Sequence, residues 1–234
     1  MKTFPPKLSI FSQTKNRFQT LAAFILLVIS SVFLFACKPK VDYFDYVSEL
    51  RSNIFLAQTE EYILRIYSVK KETPYESDGI PKELTVRTEV YFLPNSGDKT
   101  CNLSFTVNGK TYGGEMSFDN VKAEYYFSCS LDSSALTQIN CSIDYGNDHV
   151  QLNALSVLSE STLSANTVLA ELVKKEAELF SSLTDKYGFA GEMYMRLISE
   201  DSPYYYVGVI DREQNTYAFL INAENGNILA KRHS

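Results

Sequence analysis

The sequence predicts a mostly β protein with an α+β ending: an N-terminal antiparallel β-sandwich, immunoglobulin-like or similar in topology, then a small domain of one helix and an antiparallel meander. Three observations carry this. From about Tyr46 to Val157, apolar and polar residues alternate in short runs separated by turn residues, the period of strands with one buried face. Thr167 to Leu183 is a single amphipathic run with helical period. Four more strand-like runs follow it. Hydrophobic residues make up 45% and aromatics 13% of the 234 residues, enough apolar material for packed cores, so wholesale disorder is excluded.

The first element is an address. Residues 1–20 hold Lys2, Lys7, Lys15 and Arg17 and no acid, and Leu21 to Ala36 is a sixteen-residue stretch without charge that ends at Cys37. A cationic segment before an apolar core reads as an export signal; sixteen residues fall short of the ~20 that usually span a bilayer. Leu34-Phe35-Ala36-Cys37 resembles a bacterial lipobox, with a branched aliphatic three before the cysteine and a small residue next to it. Phe35 is bulkier than is usual there. The resemblance implies that the Cys37 thiol carries a diacylglyceryl group and that residues 1–36 are removed as a signal peptide. The other reading is an uncleaved anchor helix. In both, everything after Cys37 lies on the extracytoplasmic side of a bacterial cell membrane.

Charge narrows the partners. The chain has 22 basic and 28 acidic residues, a formal charge of −6; without residues 1–36 four cations and no acids are lost, leaving 18 against 28, or −10. Such a body repels anionic headgroups, so the membrane partnership rests on the lipid anchor. It also lacks the basic face that a nucleic-acid partner requires.

After a linker of residues 37–45, residues 46–158 form the expected sandwich-like domain. Residues 41–57 fit both a helical stripe and a strand, and we favour the strand. Glu61 to Tyr67 is β-rich, and Leu84, Val86, Thr88, Val90 and Phe92 alternate with polar neighbours until Pro94-Asn95-Ser96-Gly97 turns the chain. Asn108-Gly109 supplies the two positive-φ residues of a type I′ hairpin, a register that sets Phe105 opposite Tyr112 and Cys101 opposite Met116. Ala123 to Leu131, Ile139 to Tyr145 and His149 to Val157 complete seven or eight strands. Cys101, Cys129 and Cys141 all fall on apolar faces. A Cys129–Cys141 or Cys101–Cys129 disulfide is one reading, and three small buried hydrophobes the other.

Residues 159–234 begin with a small-polar lead-in. Leu169, Leu172, Val173, Ala177, Phe180 and Leu183 then form one helical stripe, with Ser164 or Asn166 as its cap. Strands follow at Met193–Ile198, Tyr204–Asp211, Thr216–Asn222 and Gly226–Ala230, with turns at 200–203, 212–215 and 223–226. One helix over a meander makes a minimal core. The run Tyr205-Tyr-Val-Gly-Val-Ile-Asp211, then Tyr217-Ala-Phe-Leu-Ile-Asn222-Ala-Glu-Asn-Gly226-Asn-Ile-Leu229, following a helix, resembles a PepSY domain over roughly residues 165–231; Asn222 stands where Asp is commoner. The resemblance implies interaction with an envelope protein such as a peptidase, and it brings no catalytic residues.

Catalytic and cofactor signatures are absent from the sequence. His149, beside Asp148 at a strand start, and His233 are the two histidines, so a Ser–His–Asp set has little to draw on. The acid pairs Asp42/Asp45, Glu60/Glu61 and Glu200/Asp201 are scattered, with no calcium loop, and neither a zinc spacing nor a glycine-rich phosphate loop occurs. Sixteen tyrosines remain. In Tyr125-Tyr126 and Tyr204-Tyr205-Tyr206 successive rings point to opposite sheet faces, one to the core and the other outward. The expected function is therefore a lipid-anchored, non-enzymatic binding or regulatory module without a cofactor, and the alternative is a solute- or glycan-binding lipoprotein that uses a tyrosine-rich β surface.

Overall fold

Alternating runs become strands β1 (Val47–Gln58), β2 (Tyr62–Glu72), β3 (Leu84–Pro94), β4 (Cys101–Val107), β5 (Lys110–Glu115), β6 (Ser117–Asp119), β7 (Glu124–Cys129), β8 (Gln138–Tyr145) and β9 (Asp148–Ser156). Two helices follow, α1 (Ala165–Lys175) and α2 (Ala177–Ser182), then β10 (Thr184–Asp185), β11 (Gly188–Phe189), β12 (Gly191–Ser199), β13 (Pro203–Asp211), β14 (Thr216–Asn222) and β15 (Ile228–His233). This computed structural model describes residues 41–234 except 77, 79, 96–98 and 200–201. The signal-like segment, Cys37, most of the turn after Pro94 and the Glu200/Asp201 pair lie outside the described residues.

The ambiguous stretch 41–57 is a single 3₁₀ turn, Tyr43–Tyr46, followed by strand. Asp42 starts the turn by accepting the Phe44 N–H at 3.0 Å. At the hairpin between β4 and β5, Asn108 and Gly109 have φ of 51° and 77°, and Phe105 faces Tyr112 with rings 5.6 Å apart.

The protein is mostly β, a nearly closed antiparallel sheet with two helices. The main path runs β15-β14-β13-β12-β1-β2-β3-β7-β6, and a second path, β9-β8-β4-β5, leaves from β1. β1 makes this branching possible. Its first half pairs in parallel with β12 through Val47–Met193 and Leu50–Met195, and its second half pairs antiparallel with β9 at Phe55 and Leu56. Between them the register against β2 slips at Arg51/Asn53, a bulge that bends and twists the strand.

Two cores result. Phe55, Ile66, Val90 and Phe127 occupy one cross-strand row of β1, β2, β3 and β7, and they pack with Leu103, Cys141, Ile143 and Tyr145 from the second path. In the other core Leu50, Met195, Val207 and Phe219 form a row across β1, β12, β13 and β14, covered by Val168, Leu169, Leu172 and Phe180. Burying a leucine such as Leu172 contributes about 2 kcal/mol. The two cores are thus joined by one strand that lines both.

The helical run is expected unbroken from 167 to 183 but divides at Glu176, whose φ and ψ are −111° and 39°. Ser164 is the cap, its Oγ accepting the Thr167 N–H at 3.2 Å. Past the break Phe180 enters a ring cluster, 5.0 Å from Tyr43 and 5.9 Å from Phe189. Ala177, placed on the apolar stripe by its spacing, is exposed, because the break rotates it off that face.

Candidate functional site

The helices pack on the Met195 side of the sheet. The opposite side carries a belt of tyrosines and charges, built by strand alternation. Arg65, Tyr91, Tyr126 and Ser117 share one cross-strand row, and Tyr67, Glu89 and Ser128 the next. Arg51 continues the belt between Val69 and Arg196, and Arg196 pairs onward with Tyr206.

Each charge on this belt has a neighbour that holds it. Arg51 and Arg196 are cross-strand partners, like charges that would repel. They are tolerated because Arg51 lies 4.1 Å over the Tyr67 ring, while Arg196 makes a two-pronged contact with Glu49, Nε donating to Oε1 at 2.9 Å and Nη2 to Oε2. Hydrogen bonding to Glu49 raises the Arg196 pKa further. Glu89, 5% exposed, accepts from Lys71 Nζ at 2.5 Å and from the Tyr91 hydroxyl at 3.1 Å. Glu124 accepts from Arg65 at 3.2 Å.

The rings form two runs. Tyr67, Tyr91 and Tyr126 are linked at 5.4 and 5.1 Å, and Tyr194 and Tyr206 lie 5.8 Å apart. Burial and then the Glu89 carboxylate push the Tyr91 phenol well above its usual range. Burial and the Tyr206 hydrogen bond push Tyr194 up to about 12, so these hydroxyls stay protonated donors at any physiological pH. Tyr194 lies flat because its partner across β13 is Gly208, where a Cβ would fall 2.0 Å from the ring. Beside Tyr91 and Tyr126 a pocket of about 300 Å³ opens between Phe118, Asp119 and Lys122. A larger cleft of about 720 Å³ lies where β5 and β6 part, lined by Lys99, Glu115, Met116, Phe118 and Tyr125.

The structure sorts the sequence candidates. Tyr125 is buried, its hydroxyl accepting from Lys99 N at 2.7 Å and donating to Lys99 O at 2.6 Å, while Tyr126 joins the belt. Tyr205 is buried, and Tyr204 and Tyr206 lie on the other face. Cys101, Cys129 and Cys141 are free thiols, Cys129 the only one half-exposed. Burial pushes Cys101 and Cys141 up to about 12. Among the described residues no group of three or more His, Cys, Asp or Glu is placed to hold a metal ion.

His149 meets Asp144, not its sequence neighbour: Nδ1 to Oδ1 is 2.6 Å, whereas Asp148 faces Lys99 at 3.4 Å. The β8–β9 register pairs Asp144 with His149 and Ser142 with Gln151, so Ser142, His149 and Asp144 line up in the order of a nucleophile, base and acid. Two features set it apart from a tight, buried triad. Ser142 Oγ is 3.5 Å from His149 Nε2, longer than an ordinary hydrogen bond, and the Gln151 amide lies 2.8 Å from Nε2 and 3.0 Å from Oγ. The histidine and aspartate side chains are 60% and 64% exposed, without the dry, donor-lined hollow that stabilises an oxyanion. His233 stacks on Tyr217 with ring centroids 4.4 Å apart.

The ionic part of the belt was not expected. Its signal lay in charges set inside apolar strands, Arg65 in Tyr-Ile-Leu-Arg-Ile-Tyr and Arg196 in Met-Tyr-Met-Arg-Leu-Ile. Comparison with known protein families, curated proteins and solved structures gives no match to this chain. Among the described residues no helix is long and apolar enough to cross a membrane.

Proposed function

We propose that the chain is a non-enzymatic binding module, anchored by lipid on Cys37 at the extracytoplasmic face of a bacterial membrane, and that its tyrosine belt recognises an envelope protein such as a peptidase. On this reading β1–β9 form an immunoglobulin-like, sandwich-type layer and residues 159–234 a PepSY-like module. The observation that carries it is the belt itself: rings and buried carboxylates held in place by Arg and Lys across neighbouring strands. Pre-positioned tyrosines give large contact area at little cost in entropy, and a broad face suits a protein surface better than a small solute. The test places a photo-crosslinking residue at Tyr126 and, as control, at exposed Thr106, in wild type and Cys37→Ser backgrounds. The expected result is one discrete envelope adduct from position 126 alone, with acylation and membrane retention lost in Cys37→Ser. Equal adducts from both positions would reject the belt, and retention of Cys37→Ser in the membrane would reject the anchor.

The cleft of about 720 Å³ favours a second reading, a solute- or glycan-binding lipoprotein. That reading requires a rise in melting temperature on a ligand screen that Phe118→Ala abolishes.

A further inference from the structure

β15 ends the main path of the sheet and pairs on one flank only, with β14. Thr216 and Ser234 exchange both backbone hydrogen bonds, at 2.9 and 3.0 Å. In an antiparallel ladder such pairs alternate with non-bonded ones, so Phe219–Lys231 and Tyr217–His233 are non-bonded pairs. The N–H and C=O groups of Lys231 and His233 therefore point away from β14, and no described strand meets them. At the other end of the path β6 is three residues long, a much poorer template.

Side chains give this edge a character. Lys231 and His233 share a face with Phe219 and Tyr217, beside a groove of about 360 Å³ between the strands and α2 that Leu179, Tyr217 and the largely buried Phe219 line, with Glu176 and Glu178 on its helix side. Arg232 stands on the other face with Ala218. Lys231, Arg232 and His233 are consecutive in a chain of net charge −6. Among the described residues, the acid bonded to them is Glu176, 3.4 Å from Lys231 Nζ, in a pair whose lysine is 66% exposed.

Basic residues on an edge strand discourage pairing with another basic strand. A second copy of this chain, paired antiparallel with Lys231 opposite its partner's Arg232, would set like charges across the ladder, whereas an acidic strand finds opposite ones. We propose that β15 is a β-augmentation site for an extended acidic segment of a partner protein, which adds a strand through the backbone of Lys231 and His233, sets apolar side chains into the Leu179–Tyr217–Phe219 groove and places carboxylates beside Arg232. This goes beyond the belt reading by assigning a second surface and the chemistry of what it takes.

The test uses the full chain in detergent and a blocked eight-residue peptide that alternates glutamate and valine, with a lysine–valine peptide as control. Deuterium exchange at the Lys231 and His233 amides is fast in the free chain and slows at least fivefold with the acidic peptide only. Lys231→Pro removes an outward N–H and leaves the β14 ladder intact; Arg232→Glu reverses the charge on the other face. Each weakens peptide binding tenfold or more with the melting temperature unchanged, and should the proline variant misfold, Arg232→Glu and the peptide charge swap decide alone. Slow exchange at Lys231 and His233 in the free chain, protection that grows with protein concentration without peptide, equal binding of both peptides, or full affinity in Arg232→Glu each overturns the proposal. Neither Cys37 nor Tyr126 enters the experiment, so its failure is distinct from failure of the anchored-module reading.

Discussion

Strands β12–β15 and strands β1–β9 share β1 yet cover their apolar rows by different means. In the C-terminal half the row through Leu50, Met195, Val207 and Phe219 is covered by helices that supply Val168, Leu172 and Phe180. In the N-terminal half the row through Phe55, Ile66 and Val90 is covered by the protein's own strands, with Leu103, Cys141 and Tyr145 folded over it. The contrast teaches that coverage of one face is local, while Arg51 and Arg196, cross-strand partners on the other, link its two runs of tyrosines.

The strongest way to break the comparison is thiol labelling, since Cys101, Cys129 and Cys141 all lie in the self-covered half. With Cys101 and Cys141 pushed up to about 12, their thiolate fraction at pH 8 is about a thousandfold below that of a free thiol of pKa ~8.5. Cys129, raised by burial but half-exposed, reacts first. Mass spectrometry after a pulse of alkylating reagent reads this order; labelling of Cys141 ahead of Cys129 in folded protein would refute it.

Next come Phe55→Ala and Leu172→Ala, one in each core. Both residues are almost fully buried, at 0% and 1% exposure, and each truncation costs about 3–4 kcal/mol. Because β1 lines both cores, both variants lower one shared unfolding transition in denaturant. Two separate transitions would show that the halves fold independently.

Arg196→Ala tests the belt that joins them. It strands the Glu49 carboxylate, whose side chain is 12% exposed, and lowers stability by about 3 kcal/mol, the low end for a buried pair because Arg196 is itself a third exposed. Arg196→Met recovers part of that loss, since its chain still packs on Tyr194. A change under 0.5 kcal/mol for the alanine variant would mean the contact is a surface ion pair.

The smallest expected effect concerns acid. Burial works to raise the Asp211 pKa, but the side-chain and backbone hydrogen bonds of Asn215 and the Glu213 N–H outweigh it, and the value falls below 3.8. A depressed carboxyl contributes stability that is present above its unfolded pKa and lost as pH falls through the folded one, so the contribution is intact above about pH 5 and disappears below 3.8. Asp211→Asn costs about 1 kcal/mol at pH 7 and less at pH 3. Thermal melts at both pH values check it, and an equal loss at both would deny the carboxylate its role.

Local features were legible in the sequence because their causes are local. The Asn108-Gly109 hairpin, the Ser164 cap and the alternation that buries Tyr125 and Tyr205 each depend on residues a few positions apart. Asn222 behaves as its place in a turn suggests, accepting the Glu224 and Asn225 N–H groups at 2.9 and 3.1 Å. What sequence reasoning could not supply depends on partners far along the chain. The parallel contact of β1 with β12 joins residues 145 or so positions apart, and the bulge at Arg51/Asn53 that redirects β1 leaves no mark in the residue pattern. The belt inherits that limit: Arg51, Glu49 and Arg196 meet only once β12 has found β1. The Asp144–His149 contact was missed for a smaller reason, the hairpin register of β8 and β9.

The shared strand also sets a timetable. Val47 takes its place beside Met193, so on a ribosome that adds about 5–20 residues per second the flank of β1 waits on the order of ten seconds for its mate to be made. Until that mate arrives the flank stays open, and the first described strand completes its ladder among the last.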